Sequence, residues 1–328
     1  MVPSTKTPTI VLGLASVGDT TKDPLAKFDT PEEVTPVLDV FYNRGYRHVD
    51  TARGYSPHAP GSSEPRLGAV GVGDRFVVDT KVLSHQPSDH TAAGIAESVR
   101  GSLADLKVNQ VNTNYLHVPQ RATPFAETHG AMDEAFKAGS FKQMGLSNYS
   151  TDEVRQFLQL AADHGFVKPA VFQGAYNPIS RGAEDELIPL LREHGMSFYA
   201  YSPSAGGFFS DKAKDARPGD RFDPSTFIGK LYTRLYRRPQ VEEAANRVRA
   251  LAKKHGINGH EAALRWTVYH GVLSAEHGDA VIIGASSIDQ LNANLDAIEA
   301  GPLPTELADS MSGIKAALDE KDSAAVIF

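Results

Sequence analysis

The sequence contains no cysteine. That excludes a disulfide framework, a thiolate nucleophile, iron–sulfur ligation and a thiol zinc site, and it suits a reducing, cytosol-like compartment. An excess of positive charge is also lacking: 33 Lys and Arg stand against 40 Asp and Glu, for a formal net charge of −7. General nucleic-acid binding needs a basic face to neutralise phosphates, so no nucleic-acid partner is expected. One basic cluster departs from this balance, Lys230, Arg234, Arg237 and Arg238. No apolar run approaches the roughly 20 residues that span a bilayer, and the opening residues 1–8 lack the apolar core of a secretory signal. The expectation is a cytoplasmic protein with no membrane partner.

Several catalytic and binding motifs are missing as well. There is no Walker A pattern and no G-x-S-x-G elbow. His260-Glu261 opens like a zincin motif, but position 264 is Leu, so the second imidazole is absent and no metal is expected. His255, His270 and His277 then read as surface or capping residues. The glycines of Gly68-Ala-Val-Gly71-Val-Gly73 follow a helix and precede a strand, the wrong order for cradling phosphate at a helix start, so they read as a loop. Asn148-Tyr149-Ser150 is a formal glycosylation sequon without a signal peptide to expose it. No internal repeat or low-complexity tract is visible.

What the chain does have is alternation. Short apolar, β-branched runs lie at 9–14, 46–51, 76–82, 111–118, 141–147, 170–176, 197–203 and 280–285. Between them lie helix-forming stretches at about 31–44, 63–70, 91–106, 124–139, 151–165, 184–195, 239–256 and 287–299. Strands alternating with helices predict a parallel α/β sheet. Length alone permits two domains or one large barrel, and eight strand–helix units favour the barrel. We therefore expect an α/β fold, a single (β/α)8 TIM barrel over residues 1–328, with a long loop after strand seven and a C-terminal extension. Thr30-Pro31-Glu32-Glu33 and Ser150-Thr151-Asp152-Glu153 supply helix starts. Residues 204–238, rich in Gly, Pro, Asp and Arg, form a connection long enough to cover a site. A further helical piece at 260–270 precedes strand eight.

In such a barrel the active site lies at the C-terminal ends of the strands. Strand two ends in Asp50-Thr51-Ala52-Arg53-Gly54-Tyr55, strand three in Thr80-Lys81 and strand four in Tyr115-Leu116-His117. Each residue has an ordinary reading alone: Asp50 caps a helix, Lys81 snorkels, Tyr55 packs, His117 is a satisfied core histidine. Together they suit carbonyl reduction. Hydride addition leaves an alkoxide that needs a proton from an acid already polarising the C=O. Tyr55 is that acid if the Lys81 ammonium lowers its pKa from roughly 10. Asp50 keeps buried Lys81 charged, and His117 donates a hydrogen bond to the substrate oxygen.

The residues Asp50-Thr51-Ala52-x-x-Tyr55, Thr80-Lys81, Tyr115-Leu116-His117 and Ser147-Asn148 resemble the signature of the aldo-keto reductases, and the likeness covers essentially the whole chain. Gly145-Leu-Ser-Asn-Tyr149, Gln173-Gly-Ala-Tyr-Asn177, Phe198-Tyr-Ala-Tyr-Ser-Pro203 and His277-Gly-Asp-Ala-Val-Ile-Ile-Gly284 resemble its aflatoxin-aldehyde and succinic-semialdehyde reductase branch. The resemblance implies NADPH/NADP+ bound across the barrel mouth without a Rossmann domain. Ser147, Asn148 and Gln173 would hold the nicotinamide carboxamide, and Tyr201 would stack on the ring or simply pack in the core. Ser202, Gly206, Gly207 and Lys212 would follow the pyrophosphate. Gly284, Ser286, Gln290 and Asn294, with Arg221 from the long loop, would meet the 2′-phosphate end.

The chain departs from that branch in two places. Where the branch reads Asp-Leu-Phe-Tyr-Leu-His-Ala-Pro-Asp, this sequence has Asn112-Thr-Asn-Tyr-Leu-His117-Val-Pro-Gln120. Where it reads Pro-Leu-Ala-Gly-Gly-Leu-Leu-Thr-Gly-Lys, this sequence has Pro203-Ser-Ala-Gly-Gly-Phe-Phe-Ser-Asp-Lys212. Both bear on substrate choice and cofactor affinity and leave the tetrad intact. Arg234 resembles an arginine that meets a substrate carboxylate, with Tyr232, Tyr236 and Arg237 around it; a solvated basic helix end is the plainer reading. Phe208, Phe209 and Phe227 suit a larger aromatic aldehyde. The expected partner is thus a small-molecule carbonyl substrate, with a homodimer left open. The resemblance also leaves open an NADP-binding regulatory subunit like the potassium-channel β-subunits, which share barrel and tetrad. A triose-isomerase-like barrel would leave the Tyr–Lys–Asp–His set unexplained.

Overall fold

Eight short strands close into one parallel barrel in sequence order, β1 pairing with β8, in a computed structural model that describes residues 7–210 and 220–318. The strands are β1 (Thr9–Gly13), β2 (His48–Asp50), β3 (Val77–Val82), β4 (Val111–Leu116), β5 (Phe141–Ser147), β6 (Val171–Ala175), β7 (Ser197–Tyr201) and β8 (Ala280–Gly284). The first helices are α1 (Pro31–Asn43), α2 (Ser63–Ala69), α3 (Val72–Arg75), α4 (Ala92–Leu106), α5 (Phe125–Lys137) and α6 (Thr151–His164). They continue as α7 (Leu187–Glu193), α8 (Phe227–Tyr236), α9 (Pro239–Lys254), α10 (Gly259–Tyr269), α11 (Ile288–Glu299) and α12 (Thr305–Ser312). Among the described residues no helix is long and apolar enough to cross a membrane.

Two apolar layers follow from the period of two along each strand. In β8, Ala280 and Ile282 point into the barrel with Val11, Tyr115, Val171 and Tyr199. Val281 and Ile283 point outward, joining Leu12, Val49, Val78, Leu116 and Phe172 under the helices. Both faces are buried, which is why the strands read as nearly continuous apolar runs. Tyr115 takes so much of the interior that a Cβ at Gly145 would lie 2.2 Å from its ring.

Helix starts obey local chemistry. Ser150 Oγ accepts from the Glu153 amide while Glu153 accepts from the Ser150 amide, and Ser287 Oγ accepts from the Gln290 amide at the start of α11. Such caps satisfy donors that have no partner within the helix. Two expectations need correction. The run Gly68–Gly73 is not a plain loop: Gly71, at φ +66°, starts the short helix α3. The connection 204–238 is not irregular throughout, because α8 lies within it, capped by Thr226 Oγ1 accepting from the Gly229 amide.

Candidate active site

The ends of β2 to β7 bring most of the singled-out residues into one hydrogen-bonded chain. Asp50 is the last residue of β2, and Lys81 lies one residue from the end of β3, both fully buried. Lys81 Nζ donates to Asp50 Oδ1 at 2.5 Å, to the Thr51 carbonyl at 2.8 Å and to the Tyr55 hydroxyl at 2.9 Å. The Tyr55 hydroxyl donates to Asp50 Oδ1 at 3.1 Å, and Gln173 Nε2 donates to Asp50 Oδ2 at 2.8 Å. Asp50 thus accepts from three donors and ties β2, β3 and β6 together beneath the phenol.

His117, the residue after β4, closes the group, its ring edge-on to Tyr55 at 5.7 Å between centroids. Among the described residues no side chain is hydrogen-bonded to its ring nitrogens, so both are free for a ligand. Its backbone carbonyl accepts from Asn148 Nδ2 at 3.0 Å, which also donates to Ser147 Oγ at 3.1 Å. Asn148 Oδ1 accepts from the Tyr201 hydroxyl at 2.7 Å. Asn148, at φ +65°, and Ser202, at φ +53°, hold left-handed backbone that is unusual outside glycine. Such strain persists where surrounding bonds over-determine it and marks functional sites.

Electrostatics at the phenol run against the expectation that Lys81 lowers its pKa. Burial, reinforced by the Asp50 carboxylate, holds the Tyr55 hydroxyl well above the ordinary tyrosine value, and the Arg221 guanidinium only partly opposes this. The phenol is therefore a firmly protonated acid. Burial draws Lys81 below its usual value, opposed by Asp50, then Asp79 and Glu64. His117 falls well below the normal histidine range through burial, then the charges of Lys81, His85 and His90. It stands as a neutral imidazole, able to donate one N–H.

The remaining residues scatter further. Ser202 Oγ pairs with the Tyr232 hydroxyl at 2.7 Å, and a Cβ on Gly206 would meet the Tyr232 ring at 2.3 Å. Gly207, at φ +86°, and Gly284 have open space where a Cβ would stand. Ser286 donates to Gln290 Oε1 from both amide and hydroxyl, and Asn294 Nδ2 donates to the Gly284 carbonyl, so these four form a second group at the start of α11. Arg221 is exposed, and its charge acts on Tyr55. Lys212 lies outside the described residues. Arg234 is exposed on α8.

Tyr236 is a correction: it is fully buried, its hydroxyl engaged by Asn177 Nδ2 at 3.2 Å and Ser180 Oγ at 3.4 Å, so it belongs to the core rather than a substrate wall. Phe208 and Phe209 are likewise core residues, at 2% and 0% exposure, whereas Phe227 is exposed at 69%. Three features escaped the reading of the sequence: Tyr232 as the partner of Ser202, His85 against Gly54 at the rim, and the buried pair His48–Asp79 below the tetrad. Only the last had a signal, since Asp79 and Lys81 stand two apart on one strand and so share a face.

Comparison with known proteins agrees with this geometry. Residues 9–316 match the model of the aldo/keto reductase family. An aldo-keto reductase of Pseudocercospora fijiensis is 40% identical over 280 residues, covering 83% of this chain and 93% of that protein. The oxidoreductase sirO of Leptosphaeria maculans is 37% identical over 310 residues, covering 94% and 93%. Aflatoxin B1 aldehyde reductase member 2 of Homo sapiens is 35% identical over 299 residues, covering 87% and 82%.

Proposed function

The chain belongs to the aldo/keto reductase family, and from that premise we propose that it reduces an aldehyde to an alcohol using NADPH, with Tyr55 as general acid. The observation that carries this reading is the Tyr55 hydroxyl bonded to both Lys81 Nζ and Asp50, facing a His117 ring with free nitrogens. The residues present suit the dinucleotide. The amides of Asn148 and Gln173 have the mixed donors and acceptors a carboxamide needs, and Gly207 and Gly284 leave room for close backbone approach. Ser286 and Ser287 lie at the N-terminus of a 12-residue helix, which favours a phosphate. Ser202 and Gly206 would line the pyrophosphate, Arg221 would meet the 2′-phosphate, and Tyr201 would cover the nicotinamide. NADPH, when bound, supplies the hydride.

The chain's own residues do the rest. Neutral His117 donates its N–H to the carbonyl oxygen and fixes the direction of that oxygen. As negative charge builds there, Tyr55 gives up its phenolic proton, and Lys81 stabilises the phenolate left behind. Asp50 keeps Lys81 cationic. Relatives named as aflatoxin aldehyde reductases support an aldehyde as substrate. The test is loss of NADPH absorbance on adding 4-nitrobenzaldehyde to the purified protein. Tyr55→Phe is expected to cut turnover by about 10²–10⁴-fold with nucleotide binding nearly unchanged. Retained turnover removes Tyr55 from the acid role. Binding of NADPH without turnover over a broad aldehyde panel points instead to a regulatory subunit.

A further inference from the structure

Beneath the tetrad the barrel interior carries charges that carbonyl reduction does not directly use. In the register of β2 and β3, Asp79 stands opposite Asp50, and carboxylates facing one another across adjacent strands repel unless each has its own cation. Asp50 has Lys81. Asp79, fully buried, has His48, with Nε2 at 2.7 Å from Oδ2. The other oxygen of Asp79 accepts from Asn112 Nδ2 at 2.8 Å and the Thr113 amide at 2.9 Å. Below them, Gln143 Nε2 donates to Thr113 Oγ1 at 2.9 Å. Barrel interiors of this kind are ordinarily filled by branched apolar side chains. A buried acid–base pair in their place, with both carboxylate oxygens engaged, calls for an explanation.

We propose that Asp79 and His48 are positioning residues for the reduction, a buried pair that sets how firmly Lys81 holds its proton and hence how well Tyr55 acts as an acid. The inference rests on the catalytic reading of Tyr55 and Lys81. Asp79 and Lys81 point to the same face of β3, two residues apart. Lys81 thus lies between two carboxylates, one in contact and one a step below. Other ionisable groups near the pair are Asp50 on β2, Tyr115 on β4 and Tyr199 on β7, whose ring meets His48 edge-on at 5.9 Å. Glu64, behind β3, already has Arg53 and the Thr80 hydroxyl. With His48 neutral, Lys81 faces two anions; with His48 charged, the pair below it is neutral overall.

Different outcomes follow for two substitutions. Asp79→Asn removes an anion and leaves the shape, so Lys81 should release its proton at lower pH. His48→Gln keeps a donor for Asp79 without charge, so Lys81 should hold its proton as well as before or better. The readout is the titration of the Lys81 ammonium by nitrogen-15 lysine NMR in the resting protein, the signal identified by its loss in Lys81→Met. A midpoint about one pH unit lower in Asp79→Asn, tenfold in the dissociation constant, with none of that fall in His48→Gln, is the expected result. The high-pH limb of kcat should move with it.

Equal downward shifts in both variants mean a merely structural role and overturn the proposal, as does an unmoved midpoint in Asp79→Asn. If Asp79→Asn does not fold, Asp79→Ser keeps an acceptor for the Thr113 amide and gives the same measurement. A fall of one unit in His48→Gln alone also overturns it. The titration needs no turnover, so an inactive wild type would remove the reductase reading without touching this result.

Discussion

Tyr55 is asked to release a proton that its surroundings hold in place. Burial and Asp50 both favour the neutral phenol, so at rest the hydroxyl points its hydrogen at a carboxylate that is already held by Lys81. The arrangement costs acidity in the resting site and secures the correct protonation state at every neutral pH. Its two directions should therefore differ. Reduction needs the protonated phenol and is expected to stay level from about pH 6 to pH 8, since the raised pKa lies far above that range. Alcohol oxidation needs the phenolate, whose share grows about tenfold per pH unit below the pKa, and should climb steadily. Paired pH–rate profiles in the two directions check this. A reduction rate that halves by pH 7 while oxidation stays flat would mean that the phenol titrates near neutrality.

At the scale of an element, α8 shows what a helical pattern tells and what composition hides. Gly229, Tyr232 and Tyr236 are its buried residues, three and four apart, while Phe227, Lys230 and Arg234 face solvent. That stripe is a helix period present in the sequence itself. The Gly- and Pro-rich composition of 204–238 hides that period, and Tyr236 belongs to the buried stripe rather than to a substrate wall. What the period does not give is the partner: Ser202, in left-handed backbone at φ +53°, pairs its hydroxyl with that of Tyr232 on α8. Tyr232→Phe deletes this one bond, worth about 0.5–1.5 kcal/mol. Amide exchange in α8 should then speed by about two- to tenfold, with β3 to β6 unchanged. Unaltered exchange would show that the Tyr236 contacts alone seat the helix.

Across the whole molecule, the barrel was legible because short, β-branched runs alternate with helical stretches, several of which carry their own start signal, so alternation gives eight units. The tetrad was legible because strand ends meet at one mouth. The charged floor was legible only in part: the two-residue spacing puts Asp79 on the face of Lys81, but nothing in the sequence pairs it with His48 from the neighbouring strand. A consequence for stability follows from these buried groups. His90, His117, His129, His260 and His270 are all held neutral by burial below the usual histidine value, His90 down to about 4.

A depressed histidine binds its proton more readily unfolded than folded, so folding loses stability as pH falls below about 6.5 toward the folded pKa. His48 acts in the opposite sense: burial lowers its pKa but Asp79 more than restores it, so its contribution is present below about 6.5 and lost as pH rises through its folded value. Five against one predicts a protein that weakens with acid well before its carboxylates titrate. For His90 the gap from about 6.5 to about 4 corresponds to about 3 kcal/mol. Urea unfolding midpoints at successive pH values from about 7 to about 5 should fall in the wild type. They should fall less steeply in His90→Gln, which stays neutral and can still bond the Ser84 hydroxyl that His90 meets at 2.7 Å. A wild-type midpoint that rises toward pH 5, or a slope indifferent to His90→Gln, would show that these imidazoles charge without resistance inside the fold.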